Sequence, residues 1–457
     1  MHTSRVEIDL AAVDRNLSAL RACARQGARL AGVSAVNLRF CGVIKQDGYG
    51  MGAVRLAKRL AASDIDMLAV YCPAEARALA DVPIKTPVLL LMPTFSFDRN
   101  DQLYRLAARD RLHFSLHSMQ QAEALGELAG RLGMQLPVHV QVDVGMTRGG
   151  LLPEEAARLV EHVITSSRLR LAGVMTHLSS PGCDAIFTRE QAHLFRAWIE
   201  QIRPALNQHA RLASERGDAP VAVHLANTCA TLRWHGLHGT MLRVGQGLLG
   251  YGPEGFAGED VPEFASAAAS LQPAVRWLSR VVHTHEIPAG WPVGYDRTFV
   301  APRPTRIAVV PVGYADGYPR ALGNRGYVRL TGLGWERPRT IAGLDERPER
   351  GVPGVFAPVV GRVSMDQITV DVTDVPAHLA LPGCEVEIIG TDKEAPNHLP
   401  LLAALAETIT HEMLCRISPQ LERVYVASEV DSGEGEVEVE EDASGRAGAE
   451  RLNAAGA

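Results

Sequence analysis

The stretch VHVQVDVGMTRGGLLPEEAARLVEHVITSS, residues 138–167, joins a short apolar, β-branched run at 138–142 through a glycine-rich loop to an amphipathic segment at 153–166. That is one strand followed by one helix. The unit recurs outward in both directions. Candidate strands fall at 40–44, 67–71, 87–92, 112–115, 138–142, 171–176, 221–224 and 241–244, with amphipathic stretches such as 118–132 between them. Eight strands alternating with helices suit an α/β fold of the (β/α)8, TIM-like barrel type, and equally a doubly wound open sheet; periodicity alone does not separate the two. A barrel places its chemistry at the C-terminal ends of its strands, so the residues just after these runs are the functional candidates.

Beyond about residue 273 the texture changes. Runs at 275–287, 307–312, 359–363, 368–372 and 385–390 are punctuated by Gly and Pro, with no long helix until 399–415. This predicts a barrel domain over 1–273 and a mainly β domain over 274–427, with a first strand at 5–10 able to pair with the second domain. The segment 332–356, rich in Gly, Pro, Arg and Glu, reads as a long solvated loop, and 428–457 as an acidic disordered tail.

A chain of 457 residues with 46% hydrophobic and 21% charged residues can bury a large core. Its net charge of -6 is concentrated after Ser428, where nine acidic and two basic residues leave the rest of the chain at +1. A body this near neutrality has no basic stripe for a phosphate backbone and no polybasic anchor, so neither nucleic acid nor a membrane is expected as a partner. Seven scattered cysteines without a CxxC pair argue for free thiols in a reducing cytoplasm and offer no metal site, and no export signal or membrane-length apolar run is present.

The motif CGVIKQDGYGMG, residues 41–52, puts Lys45 at the end of the first barrel strand, before a Gly-rich turn that contains Tyr49. Partial desolvation there lowers a lysine's pKa and suits its amine to attack on an aldehyde. A lone lysine at a strand end is ordinarily a snorkelling surface residue; the flanking glycines and tyrosine set this one apart. The run resembles the lysine motif of alanine racemases. The resemblance continues in chain order through VDVGMTRGGL around Arg148, GVMTHLSS around His177, HLANTCATLR from His224, LRVGQGLLGYGP around Arg243, GYDRTF with Tyr295, PVGYADGYPR with Tyr314 and GRVSMDQITVDV with Met365. It covers roughly residues 5–425.

The resemblance implies that Lys45 carries pyridoxal 5'-phosphate, and that Lys45 and Tyr295 are two bases on opposite faces of the alanine α-carbon. It also implies that Tyr295 comes from the partner subunit, so that the enzyme is a homodimer with shared active sites. It places Arg243 against the pyridine nitrogen, where a guanidinium keeps its own proton and leaves the ring nitrogen largely unprotonated. His177 and His224 would support the ring and link Arg243 to the tyrosine. Tyr49, Thr228 and backbone groups around Gly245 and Gln246 would meet the phosphate, together with the side chain at position 411. Arg148 and the backbone of Met365 would hold the substrate carboxylate, with Tyr314 at the entrance.

Three positions depart from the family pattern. Gln141 stands where many members carry a carbamylated lysine that orients the following arginine, so an amide oxygen or an ion such as chloride must position Arg148. His411, in TITHEMLCRI, replaces the usual tyrosine, which favours a substrate bulkier or more polar than alanine, such as serine. Ser364 replaces a cysteine, with no functional consequence assigned. The alternatives are a broad-specificity racemase of the same fold, a fold-related decarboxylase, a single-barrel pyridoxal phosphate carrier, and a scaffold that binds a basic partner through the acidic tail. Tyr295 and Arg243 argue against decarboxylation, and the second domain argues against the carrier.

Overall fold

The structure is a computed structural model that describes residues 3–32, 38–253, 267–332 and 354–426. The tail after residue 427 and the segment 333–353 lie outside the described residues.

The chain opens with β1 (Arg5–Asp9), and Asp9 then caps the helix Leu10–Leu30 by accepting a hydrogen bond from Ala12 N. Eight strands follow: β2 (Arg39–Val43), β3 (Met67–Val70), β4 (Val88–Leu90), β5 (Leu112–Leu116), β6 (Leu136–Gln141), β7 (Leu169–Met175), β8 (Ala222–His224) and β9 (Met241–Val244). They lie parallel in the order β8-β7-β6-β5-β4-β3-β2-β9. The ends of that sheet meet, since Thr240 N donates to Val223 O at 2.8 Å and Arg243 N donates to Ala226 O at 2.9 Å. These bonds roll the sheet into a barrel and rule out the open alternative. Each of the eight sequence-predicted strands is present, displaced by at most two residues at its start. The predicted helices at 118–132 and 153–166 are Met119–Leu132, capped by the Ser118 side chain, and Pro153–Thr165, which starts on a proline with no hydrogen bond to lose.

Side chains alternate along each barrel strand, outward to the helices and inward to the barrel axis. Cys41, Met67, Ala69, Leu89, Met175 and Met241 form a separate apolar cluster on the inner side. His113, His139, His224 and Arg243 share the inward register of these residues and are buried.

The remaining strands are β10 (Val275–Arg280), β11 (His283–Ile287), β12 (Pro292–Val293), β13 (Phe299–Val300), β14 (Thr305–Val310), β15 (Tyr327–Gly332), β16 (Val355–Pro358), β17 (Ile368–Asp371), β18 (Glu385–Ile389) and β19 (Glu422–Val426). A six-stranded sheet runs β16-β15-β18-β10-β1-β19, and a three-stranded one runs β11-β14-β17. β1 thus pairs antiparallel with β10 and parallel with β19, threading the chain's start into the second domain.

The structure departs from the sequence-based expectations at three places. The run at 359–363 is not a strand: pairing ends at Pro358, with only Val359 bridging Val370. The helix at 399–415 is two, Leu399–Leu405 and Thr410–Arg416, because Glu407 turns left-handed at φ 57° between them. The described ends of the 332–356 loop belong to β15 and β16, which pair with each other.

Candidate active site

The inward register of β2 runs through Cys41 and Val43 and reaches Lys45 at the barrel's C-terminal mouth. Past Lys45 the backbone winds left-handed, with φ of 53° at Gln46, 52° at Asp47, 63° at Gly48 and 60° at Tyr49. Each non-glycine residue in that region costs about 1–2 kcal/mol, so the turn needs external support. Glu75 Oε1 accepts from Gln46 N at 2.6 Å and Asp47 Oδ1 from Ala53 N at 2.7 Å. From β19 of the second domain, Arg423 Nε donates to Gly50 O and Tyr425 Oη to Met51 O. Strain concentrated at one turn and clamped from two domains is the mark of a functional site.

Lys45 is half-buried, and its ammonium is held below the ordinary lysine range by burial first and by Arg148 second, against the opposing pull of Cys415 and Glu75. That enlarges the fraction of neutral, nucleophilic amine. Tyr49 is buried, and its ring lies 5.7 Å from that of His411.

A pocket for an anion sits across the mouth. Thr228 Oγ1 accepts from the backbone N–H groups of Gly245 at 3.2 Å and Gly247 at 3.3 Å, so these donors converge on one point. A Cβ at Gly245 would stand 2.0 Å from Tyr49 Oη, so only glycine lets the phenol approach the backbone there. Two hydroxyls and two amide donors around a glycine suit a phosphate dianion. The Gln246 side chain turns away to Gly252 O, leaving only its backbone for that pocket.

Arg243 lies beside this pocket, buried, with both of its Nη groups engaged. Nη1 donates to His224 Nδ1 at 3.0 Å and His224 O at 2.9 Å, while Nη2 donates to Thr176 O at 2.7 Å and His177 Nδ1 at 3.3 Å. A guanidinium has five N–H donors, so Nε–H alone is left over. Burial pushes Arg243 down to about 10, which keeps it charged at neutral pH. Being donor-only, it fixes both imidazoles with a bare Nδ1 and a hydrogen on Nε2.

His113, His139, His177 and His224 all have depressed pKa values, each mainly by burial, reaching about 3 for His113 and His177. Above pH 6.5 both folded and unfolded chains hold these rings neutral. Below it the unfolded chain binds protons that the folded chain refuses, so stability falls as pH drops from 6.5 towards those folded values. Each ring adds a slope approaching about 1.4 kcal/mol per pH unit. Urea midpoints are therefore expected to drop markedly between pH 7.5 and pH 5; equal midpoints would show that these imidazoles accept protons in the fold.

Arg148 is exposed at the same mouth and has no hydrogen bond or ion pair among the described residues, which leaves it open to a carboxylate. Gln141 acts one residue further on: its Nε2 donates to Gly149 O at 2.8 Å, tethering the loop backbone behind the arginine.

Tyr295, Tyr314 and Met365 form a second group, on the second domain. Tyr314 N donates to Ser364 O and Ala315 N to Met365 O, which sets Tyr314 beside Met365. Tyr295 sits on a turn braced by the Asp296–Arg362 ion pair. Tyr295 is 66% exposed, Met365 54% and Tyr314 45%. No hydrogen bond, ion pair or ring contact among the described residues ties this group to Lys45, Arg243 or Arg148.

Sequence reading missed Glu75, Cys415, His113 and His139. For the last two a signal existed: a histidine inside the buried apolar runs LHFSL and LPVHVQ.

A model of the alanine racemase N-terminal domain matches residues 8–253, and one of the C-terminal domain matches residues 274–425. An alanine racemase of Cutibacterium acnes is 32% identical over 426 residues, which cover 93% of this chain and 98% of that protein. Among solved structures, the alanine racemase of the D-cycloserine producer Streptomyces lavendulae superposes with a TM-score of 0.72 at 25% identity, covering 94% of this chain and 98% of that one. The alanine racemase of Bartonella henselae with covalently bound pyridoxal phosphate shares the fold, with a TM-score of 0.70 at 24% identity over 93% of this chain and 100% of that one.

Proposed function

The chain belongs to the alanine racemase family, and on that premise we propose that it interconverts L- and D-alanine, with Lys45 and the Tyr295 of a second copy as the two bases. The observation that carries this reading is the depressed Lys45 amine, held at the barrel mouth by a strained turn within electrostatic reach of Arg148 and His177.

The residues fit pyridoxal phosphate. Thr228, Tyr49 and the Gly245 and Gly247 amides would hold its phosphate, and Arg243 Nε–H, the one donor left on that guanidinium, would face the ring nitrogen. When bound, the cofactor supplies an aldehyde for covalent attachment and a ring that spreads negative charge from the substrate α-carbon.

Arg148, which has no hydrogen bond or ion pair among the described residues, binds and orients the substrate carboxylate, with the Met365 backbone of a second copy closing the pocket. Lys45 Nζ, in its neutral form, takes or returns the α-proton on one face. The other face needs a second acid–base group, and the family resemblance implies Tyr295 for that role. His177 carries its hydrogen on Nε2, so it is a donor towards an oxygen entering from outside, and Tyr295 Oη is that oxygen. Exposed Tyr295, Met365 and Tyr314, unconnected to their own chain's Lys45, support a homodimer in which each subunit completes the other's site. The enzyme is then a cytoplasmic one; among the described residues no helix is long and apolar enough to cross a membrane, and all seven cysteines are free.

His411 beside Tyr49 favours a second reading, in which serine is also turned over, because imidazole leaves more room than phenol. Circular dichroism on L-alanine, D-alanine and a panel of other amino acids tests both. Equal final signals from the two alanine enantiomers are expected, with slower turnover of serine. No interconversion of alanine would overturn the first reading, and strict alanine specificity the second.

A further inference from the structure

Two buried histidines take no part in the reaction as described, and their geometry gives them a task. His113 Nδ1 lies 3.0 Å from His139 Nε2, and His139 Nδ1 lies 2.9 Å from His224 Nε2. His224 in turn meets Arg243. His113 is the second residue of β5, His139 the fourth of β6 and His224 the last of β8, so the rings climb the barrel interior towards its mouth.

We propose that His113 and His139 are positioning residues for Arg243: a one-way column of imidazoles that locks His224 with its bare Nδ1 towards the guanidinium. The polarity follows from one group. Arg243 can only donate, so His224 Nδ1 must accept and Nε2 must carry the hydrogen. That hydrogen goes to His139 Nδ1, which puts the next hydrogen on His139 Nε2 and directs it to His113 Nδ1. Each ring polarises the next, which strengthens the acceptor that Arg243 meets. A column ending on a donor-only group delivers no proton to the mouth unless every ring reverses, so its task is orientation, not conduction. The charged groups near the column are Arg39 from β2, Arg170 from β7 and Arg243 from β9, all cationic, and they oppose protonation of any ring.

The backbone is built around this column. β7 lies between β6 and β8, so an ordinary side chain there would separate His139 from His224. The pairing of β6 with β7 skips Ala172 and sets Gly173 opposite His139, where a Cβ would stand 2.1 Å from His139 Nδ1. A bulge and a glycine together clear the crossing.

The proposal rests on the racemase reading only for its consequence, and its test does not need turnover. In the protein as purified, with 15N-labelled histidine, NMR is expected to show His113, His139 and His224 as neutral Nε2–H tautomers, assigned by substitution. A Gly173→Ala variant should lose the single tautomer at His224. His139→Leu should do the same and lower kcat roughly tenfold, as expected for a buried donor left without an acceptor, with KM nearly unchanged. His139→Gln, whose amide can both accept from His224 and donate to His113, should restore both. An Nδ1–H or protonated form of any of the three rings in the wild type would overturn the proposal, as would a His224 tautomer indifferent to His139→Leu. If the leucine variant does not fold, the wild-type spectrum decides alone. If wild type shows the expected tautomers without racemising alanine, the functional reading fails and the column stands.

Discussion

A Lys45→Ala protein is expected to purify without visible absorption and to lose racemisation by about 10³-fold or more, because one substitution removes both the covalent anchor and a proton-transfer group. The loss should not come from unfolding. Lys45 makes no hydrogen bond or ion pair among the described residues, and the turn behind it is held through Gln46, Asp47, Gly50 and Met51, all of which remain. Thermal midpoints of wild type and variant, both stripped of cofactor, should therefore agree closely. A variant that kept its colour after dialysis, or more than a hundredth of the activity, would move the chemistry to another amine.

Tyr295→Phe should keep the colour and lose roughly 10²–10⁴-fold in kcat, the range a positioned acid–base group supplies. The phenylalanine retains the ring and its packing, so cofactor content is unchanged. Mixing the two inactive proteins tests where the tyrosine acts. If sites are shared, each mixed dimer holds one site with both defects and one with neither, and random exchange of subunits returns about a quarter of wild-type activity. If Tyr295 serves its own chain's Lys45, no activity returns. Equal activity of Tyr295→Phe and wild type would leave one face of the α-carbon without a base and sink the two-base reading.

The strands were legible because a buried parallel strand needs a short apolar, β-branched run, and each of the eight carries one. The helix at 119–132 was legible from its apolar spacing. The break at Glu407 was not, since the pattern continues across it. Among site residues, Lys45 and His177 stood out because each directly follows a strand run, and Arg148 because it lies in the glycine-rich loop after one. Glu75 did not: its carboxylate reaches Gln46 N from a helix 29 residues away in the chain.

By itself, then, the amino-acid order determined the repeating unit, the change to β structure near residue 273 and the residues with reactive groups. These depend on local periodicity and on side-chain chemistry, which neighbours along the chain carry. Only the tertiary structure decided that the sheet closes, through bonds from Thr240 and Arg243 to the end of β8 and just beyond. It alone showed that Arg243 has one donor to spare, and that His113, His139 and His224 stand in line. Those facts depend on the registers of strands far apart in sequence and on the bulge at Ala172, and no local pattern encodes a register.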